Sequence, residues 1–554
     1  MKKMKLWGLA LLVLFVSACQ DDESNELKSE NVVVKVSGLE GRLTTAGAKV
    51  VAGRDMAAMP DGFFNEETVT TKSALVDSDV ASDVVLSLVG EVSAPTIDGV
   101  QVQATHVVVD GNYAYVSYNL RGDAYRGAID LIDVSDPSLP QLAMEVEFPN
   151  MEISAIAIHE GLLYMAGARD VDAYEGVSSP AVLAKMTLDG AMLSDDISYL
   201  ELAGTTGTDV AVGDSYYYAV SGFQGALASF ALTNDAAGDS VVADDLRAVG
   251  IDGDKLVLLS GADGIRVYEL SSMTESLTID LPEDVAEAKR TIDFYDNQLL
   301  VAEGFDGVGI YSLVDGTVIN KLPMTTVDDE NIDPSDLVCN AVTTSNEHIF
   351  MAEGAAGVVV YSLKGTDLTA PTGLGALSLD GSANYVATGD GYIFVADGTG
   401  GLKILQISES QADDEGEYTC SSYPAYTGGS WLNINGNEPQ AYSGTATLGG
   451  LNVGDQLIWC GSLAVSTHVN VNSGGEFVMI GSLSIGSGNG NVININDKMI
   501  VDGSLVIYGN LNINSGGSLE FVGDNSSVYV TGTVKVNKGG EIIGDFVDQG
   551  GNVK

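Results

Sequence analysis

The chain has 554 residues, 77 acidic and 25 basic side chains, and a formal charge of −52. So few cations exclude nucleic acid and anionic lipid headgroups as partners, because nothing is available to displace their counterions. Hydrophobic residues make up 45% and charged residues 18%, with 66 Gly against 12 Pro, which describes a foldable, Gly-punctuated chain and excludes an acidic disordered one.

The first element is short. Lys2, Lys3 and Lys5 precede an apolar run from Leu6 to Val16, about half of what a membrane span needs, so residues 1–18 read as a secretory leader. The run ends in Val16-Ser17-Ala18-Cys19, which resembles the lipobox of bacterial lipoproteins. The resemblance implies that Cys19 becomes the acylated N-terminus, held at the membrane by buried methylenes through two or three chains. Behind it, Gln20, Asp21, Asp22 and Glu23 are similar to the acidic signal that sends Bacteroidota lipoproteins to the outer face of the outer membrane, although the lysine common in such signals is missing. The implied location is the outer membrane, facing outward. Residues 19–80 are polar and aperiodic and read as an acidic, mostly disordered tether, with NVVVKVSG as a candidate strand pair.

From 81 to 408 the chain repeats. Apolar strand, Gly-rich turn and second apolar strand recur at NYAYVSYNLRGDAYRGAIDLIDV, GLLYMAGARDVDAYEGVSSPAVLAKMTL, SYYYAVSGFQGALASFAL, KLVLLSGADGIRVYEL, QLLVAEGFDGVGIYSL, HIFMAEGAAGVVVYSL and YIFVADGTGGLKILQI. The period of roughly 40–55 residues is that of propeller blades. A shorter alternating run precedes most hairpins and enters through Asp-Gly, Glu-Gly or Asp-Asn turns, which supplies an innermost strand. Four strands in seven units predict a seven-bladed β-propeller. VVLSLVGEVSAP from Val84 is placed to supply the outer strand that the last blade lacks and so to close the ring. VVVDGNYAYVS followed by AIDLIDVSDPSLPQLAMEVEF resembles the LVIVD repeat of bacterial secreted and surface proteins, strongly in the first blade and more weakly in later ones. That resemblance implies the fold and no single activity.

Residues 409–430 read as a linker. From 431 to 548 the composition shifts to Asn, Gly, Ser, Val and Ile, with a period of roughly 20–23 residues in units beginning at Cys460, Gly481, Gly503 and Ser526. These features predict a short parallel β-solenoid, followed by a tail at 549–554, and an all-β chain throughout. Asn470, Asn472, Asn494, Asn496, Asn512, Asn514 and Asn537 fall at matching places and predict amide ladders along the stack. The solenoid resembles the β-helical or head-group segments of surface adhesins in its style of repeat, and GSGNGNVIN lacks the Asp of calcium-binding nonapeptide helices.

Candidate chemistry is sparse. Beyond Cys19, only Cys339, Cys420 and Cys460 remain, so no disulfide framework is available; Cys339 reads as a buried small hydrophobe, and a Cys420–Cys460 bridge is open to the chain in an oxidising compartment. His106, His159, His348 and His468 have no metal-ligand spacing. Asp133 and Asp136 in IDVSDPS have calcium-ligand chemistry, but an Asx turn before Pro137 explains them more simply. Arg121-Gly122-Asp123 is an integrin-type tripeptide explained by composition. Trp431, Trp459, Tyr423 and Tyr426 are placed to pack at the solenoid entrance or to stack on sugar. A solenoid lyase would want basic residues, and this solenoid offers Lys498, Lys535, Lys538 and Lys554 alone. With no nucleophile elbow, phosphate loop or metal cluster in the sequence, the expectation is a non-enzymatic, cofactor-free surface lipoprotein binding an extracellular protein or glycan and touching the membrane only through its anchor. A propeller enzyme acting on polysaccharide, with or without calcium, and a structural subunit of an outer-membrane complex are the alternatives.

Overall fold

The computed structural model describes residues 27–28, 32–39, 42–44, 84–409 and 420–554, apart from 123, 138, 283, 287, 326–331, 346–347, 365–366, 378, 421–422, 436–439, 487–491, 523–525, 531 and 549–550. Cys19, Gln20, Asp21, Asp22 and Glu23 lie outside the described residues.

Seven antiparallel sheets form the propeller, as expected. Blades 1 to 7 have inner strands Gln103–Asp110, Met151–His159, Gly207–Val212, Leu246–Asp252, Ile292–Tyr295, Ala341–Thr344 and Tyr385–Gly389. The entry turns require left-handed backbone, which their residues tolerate: φ is +56° at Gly111, +57° at Gly253, and +47° and +59° at Asp296 and Asn297. Between neighbouring blades the side chains that point out of each pleat meet in dry layers, such as Val107, Val116, Ile132, Phe394 and Ile404 between blades 7 and 1. Each such side chain contributes about 1.5–3 kcal/mol by leaving water.

Closure follows the expected route. Val84–Val92 runs antiparallel to Leu402–Glu409 as the outer strand of blade 7, with Lys403 donating to Glu91 at 2.9 Å across the pair. A second closure was not expected. Residues read as tether belong to the propeller: Val33–Lys35 pairs with the outer strand of blade 1 (Gln141–Phe148), Leu27–Lys28 pairs with Val33–Lys35, and Leu43–Thr44 pairs with Val92 and Glu91 of blade 7. This strap therefore spans the seam between the first and last blades. Arg42 pins it, donating to Asp130 (2.9 Å) and Glu145 of blade 1 and to the Ser93 carbonyl (2.7 Å), while Lys35 reaches Glu145 (2.9 Å) and Glu147. Asp130 and Glu145 are buried, so the strap supplies the cations that make their burial tolerable.

The solenoid is parallel throughout, with strands in register from Trp431–Ile434 to Val547–Asp548. In each rung the alternation sends Leu451, Val469, Ile493 and Leu511 inward and Asn452, Asn470, Asn494 and Asn512 outward. The long strands bend at stacked glycines: Gly481 has φ +117°, and a Cβ there would lie 2.3 Å from the Gly461 carbonyl oxygen. Cys420 and Cys460 are disulfide-bonded, with Cα atoms 5.6 Å apart, tying the entry segment to the long strand Gln456–Val471. The solenoid strands Gln456–Val471, Glu476–Ile485 and Lys498–Ile507 approach Val84–Val92 and Leu402–Glu409 of blade 7, which joins the two units at the seam side of the ring.

Replacing Arg42 by Ala leaves Asp130 buried without its cation and Glu145 with Lys35 alone. The expected loss is about 3–5 kcal/mol, with Lys recovering only part of it because a single ammonium cannot reach both carboxylates and Ser93 in a fork. Urea unfolding of the three proteins checks this.

Candidate functional site

Strand order fixes which loops share a face. The inner strand of each blade runs away from one face, so the connections from second to third strand and those between blades all lie on that face, where the inner strands begin.

There the inner strands are laced together. Bulges at Thr105, Ser154, Thr208 and Arg247 interrupt the ladders of blades 1 to 4. Thr105 donates to the Ile153 carbonyl (2.8 Å) and Thr208 to that of Leu246 (2.8 Å), each reaching into the next blade. Asp209 accepts from the Val249 amide (3.0 Å) as Asp293 does from Thr344 (2.6 Å), and Asn384 closes the circle by donating to the Ala104 carbonyl (2.8 Å).

One cation crosses the axis. The blade 4–5 connection ends in Lys289 and Arg290, and Arg290 adopts φ +57°, a strained conformation for a bulky residue. Arg290 points into the blades, donating to the Ala302 carbonyl (3.1 Å) and Asp284 (2.6 Å). Lys289 points the other way, into the channel, and donates to the carbonyls of Thr105 (2.8 Å) and Ser154 (2.6 Å) on the opposite side of the ring. Those are carbonyls of bulge residues, left without ladder partners. The Tyr385 ring lies 5.2 Å from the ammonium and itself stacks on His106 at 3.6 Å. Enclosure pushes the Lys289 amine down to about 7, against the pull of the Asp209 carboxylate, and burial raises Asp209 to about 6. Burial, reinforced by Lys289, lowers His106 well below its usual value, so its imidazole is neutral. The channel mouth on this face is thus bolted by a side chain.

Around that mouth the loops are unequal. Blades 3 to 7 turn through Ser221-Gly-Phe-Gln-Gly225, Ser260-Gly-Ala-Asp-Gly264, Glu303-Gly-Phe-Asp-Gly307, Glu353-Gly-Ala-Ala-Gly357 and Asp397-Gly-Thr-Gly-Gly401. Their first residues are all buried: Ser260 accepts from the Ala262 and Asp263 amides, Glu303 is held by Tyr311 and Lys321, Glu353 accepts from the Thr325 amide (3.0 Å), and Asp397 from that of Gly381 (3.0 Å). Burial raises Asp397 to about 7. Blades 1 and 2 instead carry the longer loops 120–126 and 170–180, presenting Arg121, Arg126 and Tyr174; Tyr174 packs on Arg169 at 5.2 Å. At the tips of the blade 3 and 5 turns, Phe223 (57% exposed) and Phe305 (50%) stand in solvent.

The residues singled out in the sequence are dispersed. His106 is in the channel, His348 is buried in blade 6, His159 lies beside Glu160 (3.9 Å) and His468 beside Trp431 (5.4 Å). Among the described residues no three His, Cys, Asp or Glu side chains are grouped to hold a metal ion. Asp133 accepts from the Ser135 amide (2.9 Å), the Asx geometry expected before Pro137. Cys339 is buried, and burial together with Glu353 and Glu303 raises its thiol well above the usual value. Asp123 lies outside the described residues. Sequence reasoning missed Lys289, Phe223, Phe305 and the buried acids; the recurring x-Gly-x-x-Gly turn and a Lys-Arg pair ahead of an inner strand were the available signals.

The LVIVD repeat matches residues 103–147 and 380–411, the sheet of blade 1 and the last three strands of blade 7. The chain carries LVIVD repeats. The two matched LVIVD blades are those that meet at the seam. No curated protein matches the sequence. Similar solved structures include the computationally designed protein Ika8 (11% identity, 59% of this chain and 94% of that one, TM-score 0.38) and BamB from Moraxella catarrhalis (11%, 59% and 90%, TM-score 0.37).

Between pH about 7 and 10.5 an unfolded chain holds a proton on Lys289 that the folded protein lacks, so this residue makes folding more favourable as pH rises through that window. Lys289→Met abolishes this pH dependence and leaves the Thr105 and Ser154 carbonyls without the Lys289 donor. Calorimetry is expected to show wild type gaining on the variant in melting temperature between pH 7 and 10.

Proposed function

We propose that this chain is a lipid-anchored protein of the bacterial outer membrane, displayed outward in the Bacteroidota manner, that binds an extracellular protein or glycan through the propeller face carrying Phe223 and Phe305. The observation that supports this reading most is the pair of solvent-exposed phenylalanines on that face. Leaving large apolar side chains in water on rigid, glycine-defined turns has no benefit to folding, while aromatic anchors of this kind supply most of the energy at binding interfaces. The long loop of blade 1 adds the exposed Arg121, placing a basic group on a strongly acidic chain where a partner can use it. The channel bolt gives this face a fixed floor, so loops vary on a scaffold that does not deform. On this reading the protein is a binder and not an enzyme, uses no cofactor and meets the membrane through Cys19 alone.

A screen of matrix proteins and polysaccharides against the mature protein is expected to find a ligand. Replacing Phe223 and Phe305 together by Ser should weaken that ligand at least about tenfold while leaving the melting temperature within about 2 °C. Undiminished binding by the double variant would refute the assignment of the face.

Display is checked separately by protease shaving of intact cells. Wild type is expected to be cut, and a variant with Asp21, Asp22 and Glu23 replaced by Ala to be protected until the outer membrane is broken.

A further inference from the structure

A second surface, on the solenoid, has a chemistry of its own. The strands Trp431–Ile434, Leu451 to Val453, His468 to Val471, Val492–Ile495 and Asn510–Ile513 form one parallel sheet, in register, whose outward residues stand in columns. One column is Asn433, Asn452, Asn470, Asn494 and Asn512. Each amide nitrogen donates to the amide oxygen of the previous rung, at 2.7, 2.8, 2.9 and 3.2 Å in order.

That ladder uses one N–H and one lone pair of each internal amide. An amide has two of each, so one donor and one acceptor per rung remain on the solvent side. They repeat at the strand spacing of about 4.8 Å and run for roughly 19 Å. The five amides bear no charge, although the chain as a whole carries −52, and the column ends at a single cation, Lys535, paired in register with Asn512. A row of alternating donors and acceptors complements a neutral polyol, whose hydroxyls both donate and accept, and offers an ionic partner only the one ammonium at its far end.

At the head of the sheet stands an aromatic platform. Trp431 is 51% exposed, beside Asn433 on the same face of its strand. Its ring is seated on glycine: a Cβ at Gly450 would lie 2.3 Å from the ring, and His468 abuts it at 5.4 Å. The other aromatics of this region are used for packing, since Trp459 is fully buried against Tyr426 and Tyr442. Trp431 alone is fixed on one face and open on the other, the arrangement in which the C–H face of a pyranose stacks.

We propose that this face binds a neutral polysaccharide, lying along the asparagine ladder with one sugar on Trp431. The site goes beyond the propeller reading, since it sits on a different unit.

The test uses the full mature protein in affinity gels cast with neutral β-glucan, α-mannan, xylan or galactomannan, with tryptophan emission as second readout. Of the three tryptophans in the chain, Trp7 leaves with the leader and Trp459 is buried, so a ligand-induced change reports Trp431. Retardation by at least one polysaccharide, with a change in emission, is expected. Trp431→Ala should weaken binding at least about tenfold, equivalent to about 1.4 kcal/mol, and Trp431→Tyr should restore part of it, with melting temperatures confirming the fold. The Phe223/Phe305 double variant should bind these gels like wild type, which separates failure here from failure at the propeller. The proposal is overturned by no retardation in any neutral gel, by retardation that Trp431→Ala leaves unchanged, or by a Trp431 response confined to uronate polymers or proteins.

Discussion

A ring of sheets is stable only if its two ends are joined as firmly as its neighbours. Here the join is the pairing of Val84–Val92 with Leu402–Glu409, which brings residues more than three hundred positions apart into one blade. Without it, blade 7 would expose the edge of its third strand, and the dry layer between blades 7 and 1 would open to water. The strap from Leu27 to Thr44 reinforces the same place, pairing with blade 1 at one end and blade 7 at the other. Two closures at one seam make physical sense, because sequence-distant contacts carry the largest loop-closure cost and gain most from a second tie.

The acidic composition takes on a specific meaning in this setting. With 25 basic residues against 77 acidic ones, the place of each cation matters. Several are internal pins. Arg42 holds the strap, Lys403 the clasp, Arg290 the blade 4–5 connection and Lys289 the channel, and each meets carboxylates or orphaned carbonyls that would otherwise be buried at a cost of several kcal/mol. The surface keeps its negative charge, and the interior spends its few positive charges where elements from different blades converge. What stands out from that surface is correspondingly informative: two phenylalanines on one face of the propeller, and a neutral amide ladder with a seated tryptophan on the solenoid.

Much of this was legible in the sequence. Hairpins at propeller spacing fixed the number of blades, VVLSLVGEVSAP announced the clasp, and the asparagines between 470 and 537 announced the ladders. The details moved where long-range contacts decide. Asn433 and Asn452 extend the main ladder upstream of the clearest repeats, and Asn496 donates to the Val471 carbonyl instead of Asn472. The strap looked like tether because three-residue strands carry little periodicity, and their partners Asp130 and Glu145 are about a hundred residues away. Lys289 was silent for the same reason: its acceptors are backbone carbonyls exposed by bulges, and backbone leaves no mark in composition. The aromatics at the solenoid entrance were visible as a group, but only burial divides Trp459, which packs, from Trp431, which faces solvent.

Native-state hydrogen exchange of the full chain addresses the seam most directly. If the clasp and strap close the ring as described, amides of Leu402–Glu409 and Gln141–Phe148 exchange as slowly as those of Gly264–Glu269 in blade 4, which has no seam, and open only with global unfolding. Fast exchange confined to blades 7 and 1 while the other blades stay protected would contradict the account and show a ring that is held shut elsewhere.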